Sequence, residues 1–73
     1  MAQFTLKIPT RTSVAATFTP TTDIIINSVR NYGNLPINFK EGNTIPLGTT
    51  LEAEGSAGQP LEIINVVVDY TEI

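Results

Sequence analysis

Apolar and polar residues alternate along most of this chain. In residues 3–8, Phe4, Leu6 and Ile8 point one way and Gln3, Thr5 and Lys7 the other. That is the period-two pattern of a half-buried strand. Residues 13–19 repeat it, with Val14, Ala16 and Phe18 opposed to Ala15, Thr17 and Thr19. Pro20-Thr-Thr-Asp23 reads as a turn and 24–32 as a third strand, apolar on both faces at Ile24, Ile25 and Ile26. Gly33-Asn34 suits the positive φ of a tight turn. Leu35, Ile37 and Phe39 share the inward phase of a strand over 35–40, and Pro36 on the opposite phase marks an edge or a strand start. Two more short strands follow, 44–47 with Ile45 and Leu47 inward and 49–54 with Leu51 and Ala53 inward. A loop of small residues, Gly55 to Pro60, leads to the longest strand, 61–73. Gly and Pro punctuate the chain at short intervals, and no window between them holds a helical period. Seven short strands in one unit predict an all-β fold, a compact antiparallel β-sandwich or partly open barrel. Residues 1–73 read as a single domain. Residues 1–12, set off by Pro9-Thr-Arg-Thr12, form either its first strand or an arm that pairs with a neighbouring chain.

The last strand breaks the alternation. One face carries Leu61, Ile63, Asn65, Val67, Asp69, Thr71 and Ile73; the other carries Glu62, Ile64, Val66, Val68, Tyr70 and Glu72. Its centre is apolar on both sides. A chain of 73 residues has too little length to cover both faces of a sheet,. Contiguous apolar surface marks interfaces, and an open run like 63–68 invites aggregation. The pattern therefore predicts a homo-oligomer, or a chain assembled onto a larger scaffold. Ile64, Val66, Val68 and Tyr70 are the expected contact face, and Leu61, Ile63 and Val67 the expected core.

Composition narrows the chemistry. Thr, Ile and Val make up 25 of the 73 residues, as strands favour,. There is no Cys and no His, so disulfides, thiolate nucleophiles, imidazole bases and the usual zinc ligands are all missing,. Ser13, Ser28 and Ser56 have only Lys7 and Lys40 as substitute bases. No catalytic, cofactor or metal residues are predicted, and the chain is not expected to be an enzyme. Glu52 and Glu54 share one strand face. They read as a solvated surface rather than as an acid–base pair or, joined by Asp69 or Glu72, a calcium site. The net charge of −3 and the scattering of Lys7, Arg11, Arg30 and Lys40 argue against nucleic acid,. The start of the chain does not read as a signal peptide, and no apolar run approaches the ~20 residues that span a bilayer.

The segment Thr44-Ile-Pro-Leu-Gly-Thr-Thr-Leu-Glu-Ala53, followed by the small-residue loop and Ile64-Asn-Val-Val-Val-Asp-Tyr-Thr-Glu-Ile73, resembles the C-terminal half of small β-sandwich virion proteins of tailed bacteriophages. Upstream, Ala16-Thr-Phe-Thr-Pro20 and Asp23-Ile-Ile-Ile-Asn-Ser-Val29 look like the opening strands of that group. The chain is shorter than many of them, and Thr49 stands where an acidic residue often follows the Gly. The resemblance implies a non-enzymatic virion component, made in the host cytoplasm. Decoration or cementing of the head is the first expectation, as a trimer on the major capsid protein. A neck, tail or fibre component shares the same features. A small carbohydrate- or receptor-binding module, using loops 31–36 and 54–60, is the alternative from another class.

Overall fold

A computed structural model describes residues 2–9, 14–33, 35–55 and 62–73. Six strands follow in chain order: β1 (Ala2–Pro9), β2 (Ala15–Phe18), β3 (Ile24–Asn31), β4 (Thr44–Ile45), β5 (Leu51–Glu54) and β6 (Ile63–Glu72). Among the described residues there is no helix. A four-stranded sheet in the order β1-β6-β3-β4 packs against a two-stranded sheet of β2 and β5, and every pairing is antiparallel. The all-β prediction holds, with six strands among the described residues where the sequence suggested seven.

Register decides which side chains meet inside. Residues directly opposed in a ladder share a face. Phe4 pairs with Val68, Leu6 with Val66 and Ile8 with Ile64. The clean apolar face of β1 therefore fixes the inward face of β6. Ile64, Val66 and Val68 are 2%, 0% and 0% exposed. The expected assignment of faces is inverted. Ile64, Val66 and Val68 belong to the chain's own core, Tyr70 is half-buried beside it, Ile63 is 55% exposed and Val67 lies on the outer face. Leu61 lies outside the described residues. β1 pairs with β6 over its full length within the same chain, so it is an ordinary strand of this sheet.

A bulge sets the phase of β3. Ile26 pairs with Tyr70 and Ser28 with Asp69, which leaves Asn27 as the extra residue,. Ile24 and Ile26 face inward before it. Without the bulge, Ser28 and Arg30 would follow them into the core. With it, Val29 and Asn31 turn inward opposite Val68 and Val66, and Ser28 and Arg30 face out,. The turn at 40–43 covers the bulge from the other side: Ile26 N–H donates to Asn43 O and Gly42 N–H to Ile26 O, both at 2.9 Å. Gly42 holds φ +89° there, a conformation that side chains disfavour,.

Residues 35–40 have the predicted faces without the predicted strand. Leu35 and Phe39 are buried and Ile37 partly so, yet only Ile37 makes a ladder bridge, to Ala53. Pro36 has no N–H to give, and the Asn38 side chain takes over the pairing. Its Oδ1 accepts from Glu52 N–H at 2.8 Å and its Nδ2 donates to Thr50 O at 3.2 Å. Gly33 closes β3 for a reason other than positive φ: a Cβ there would fall within the Ile64 side chain, 2.7 Å from Cγ2. Asn31 shapes the same turn, its Oδ1 accepting from the N–H groups of Gly33 and Leu35. Leu47 and Val14, expected inside, are 62% and 55% exposed. The former sits in the turn closed by Thr49 N–H donating to Pro46 O, which leaves β4 only two residues long.

Candidate interaction faces

The outer face of the large sheet is built by the residues that register turns away from the core. Reading across β1, β6 and β3, Gln3, Asp69 and Ser28 form one row, and Thr5, Val67 and Arg30 the next. Lys7 and Asn65 follow, with Tyr32 N–H donating to Asn65 O at 3.2 Å. Pro9 and Ile63 end the face. One end is polar and tightly bonded. The other exposes Ile63 and Tyr32, the latter 64% accessible, beside the half-buried Val67.

Asp69 is the hub of the polar end. A carboxylate in mid-strand needs donors on the neighbouring strands. Gln3 Nε2 donates to its Oδ1 and Ser28 Oγ to its Oδ2, both at 2.8 Å. Arg30 Nη2 lies 3.3–3.4 Å from both oxygens. The bonds from Gln3 and then Ser28 hold the Asp69 carboxyl below its ordinary value; partial loss of solvent pulls the other way, and the Arg30 charge adds a smaller lowering. Such a carboxylate is a poor base, so its contact with Ser28 does not make that hydroxyl a nucleophile. The cluster ties three strands together through side chains. Asn27 Nδ2, donating to Thr71 Oγ1 at 2.7 Å, extends it.

A second feature joins the two sheets. The rings of Phe4 and Phe18 stack with centroids 4.0 Å apart, and Tyr70 tilts against them at 5.6 and 6.0 Å. Phe18 lies on β2, so this contact anchors the small sheet onto β1 and β6. Tyr70, expected at a subunit contact, serves this internal junction.

The outer face of the small sheet carries Ala15 and Thr17 opposite Glu54 and Glu52. Glu52 and Glu54 border an open groove of about 220 Å³ with Pro36, Ile37 and Asn38. A neighbouring hollow of about 390 Å³ runs past Phe39, Lys40 and Asn43. Glu52 and Glu54 sit on a different sheet from Asp69 and Glu72, so the layout does not assemble the carboxylates weighed for calcium. Among the described residues, no three His, Cys, Asp or Glu side chains come together, and no helix is long and apolar enough to cross a membrane.

Sequence reasoning missed the Asp69 cluster and the role of Asn38. The signal for the first was present: Asn65 and Asp69 are polar residues in the middle of one face of β6, while the other face is apolar from Ile64 to Tyr70. Compared with known proteins, the chain matches no family model, no curated protein and no solved structure.

Proposed function

We propose that this chain is a non-enzymatic structural subunit of a bacteriophage virion, a decoration or cement protein of the head. The observation that carries the reading is the outer face of the large sheet, where Ile63, Val67 and Tyr32 stay at the surface although the chain fills a core of its own. An assembly protein needs a self-supporting fold and an apolar surface left over for its neighbours. The likeness of residues 13–73 to small virion sandwiches supplies the virion context. The proposed action is mechanical. Each subunit buries surface against its neighbours on the shell, and symmetric repetition turns modest contacts into large avidity. The acidic balance, net −3, keeps the exposed side soluble and repels packaged DNA,. The polar cluster around Asp69 braces the sheet under load and takes no part in chemistry.

The test is sedimentation of particles from the cells that make the chain. Immunoblots of the gradient should find the chain with the particles. Particles made without it should break at lower temperature. A chain that stays at the top of the gradient overturns the reading.

A further inference from the structure

We propose that this chain associates with a second copy of itself head to tail, with the outer face of the large sheet on one copy seated on the outer face of the small sheet on the next. The inference deepens the assembly reading by naming the partner and the two surfaces.

Charge carries it. Among the described residues, the strands of the large sheet carry three charged side chains on the outer face, Lys7, Arg30 and Asp69. Arg30 and Asp69 neutralise each other at 3.3 Å, which leaves Lys7 as the free charge of a chain whose net charge is −3. The small sheet presents Glu52 and Glu54 outward. Among the described residues neither of these glutamates, nor Lys7, has an ion-pair partner. One face is locally positive and the other negative, so like faces repel and unlike faces attract. The apolar surface matches this polarity. Ile63 and Val67 flank the row of Lys7 on the first face, and Pro36 and Ile37 line the groove beside Glu52 and Glu54 on the second. Lys7 of one copy fits the groove of the next, its stem along Pro36 and its ammonium between the carboxylates. A standard contact removes about 800 Å² from each partner. With 4447 Å² of total surface per chain, there is room for two such contacts on every protomer. A contact between unlike faces closes into a ring if its rotation permits and otherwise runs on as a filament.

The experiment uses two full-length variants and light scattering. The first, Lys7→Glu with Ile63→Glu, alters only the large-sheet face. The second, Glu52→Lys with Glu54→Lys, alters only the small-sheet face. All four positions are exposed, and circular dichroism checks that both variants fold. The wild type should exceed monomer mass and lose mass as salt rises. Each variant alone should be monomeric. An equal mixture should regain mass above the monomer, because each variant supplies the intact face that the other lacks. If either double variant fails to fold, Lys7→Gln and Glu54→Gln replace them, each weakening association at least tenfold. A wild type that stays monomeric to about 1 mM overturns the self-contact, and so does a variant that assembles like wild type. A variant that halts alone at a dimer shows a contact between like faces and overturns it too. None of these outcomes touches the virion reading, which the particle gradient tests separately.

Discussion

Ile63 and Ile64 are neighbours in the chain with identical side chains and opposite surroundings. Ile64 is 2% exposed, opposite Ile8 and against Gly33; Ile63 is 55% exposed at the end of the outer face. Truncating a buried Ile to Ala costs about 2–5 kcal/mol, from lost transfer energy and the cavity left behind. A chain of this length has a total stability of about 4–11 kcal/mol. Ile64→Ala therefore removes a large share of it. At about 4–8 °C per kcal/mol, the melting temperature should fall by at least about 8 °C. Ile64→Val, a milder change of about 0.5–1.5 kcal/mol, keeps the comparison open if the alanine variant does not fold. Ile63→Ala should stay within about 0.5 kcal/mol, a shift below about 4 °C. The assay is thermal unfolding by circular dichroism, at a concentration where light scattering gives the monomer mass, since association would raise the melting point. Equal losses at the two positions, or a larger loss at Ile63, would refute the assignment of faces and the register behind it.

Gly33→Ala should destabilise by about 1–3 kcal/mol in urea unfolding, because its Cβ meets the Ile64 side chain,. Adding Ile64→Val, which removes the Cδ1 methyl, should recover part of that loss; strict additivity would contradict the contact. Asn38→Ala should cost about 1–2 kcal/mol by leaving the Glu52 N–H and Thr50 O without their partner, and a neutral result would mean that water replaces the amide fully,. Asp69 predicts a pH dependence. Its carboxyl is lower in the folded chain than in the unfolded one, so its contribution is complete above the ordinary carboxylate value of about 3.9 and fades as pH falls through the folded value,. Urea midpoints from pH 7 down to pH 2 should therefore fall less steeply in Asp69→Asn than in wild type. Parallel profiles would count against the cluster.

Much of the fold was legible because period-two alternation survives wherever one face of a strand is buried. Phe4, Leu6 and Ile8 on β1, Leu51 and Ala53 on β5, and the inward set Leu35, Ile37 and Phe39 all read correctly. Strand pairing was less legible. Nothing local announces that Asn38 will bond as a surrogate backbone, so a segment with strand alternation lost its ladder. The bulge at Asn27 was hidden for a related reason: it shows only once β3 is laid against β6, where it spares Ser28 and Arg30 from the core. On β6 the apolar residues on both faces outweighed Asn65 and Asp69 in the reading, and the faces came out reversed. The polar pair was the better guide, since a mid-strand carboxylate with donors opposite belongs outside. The interaction faces follow from that correction. They become visible only after register separates Ile63 and Val67 from Ile64 and Val66.

Copy number tests the central claim most directly. Tryptic cleavage after Arg11, Arg30 and Lys40 gives peptides 12–30 and 31–40, which isotope-labelled standards can count in purified particles. A structural subunit should show a fixed stoichiometry to the major shell protein, reproducible between preparations and retained after extensive washing. Trace amounts that vary between preparations and wash away would contradict it.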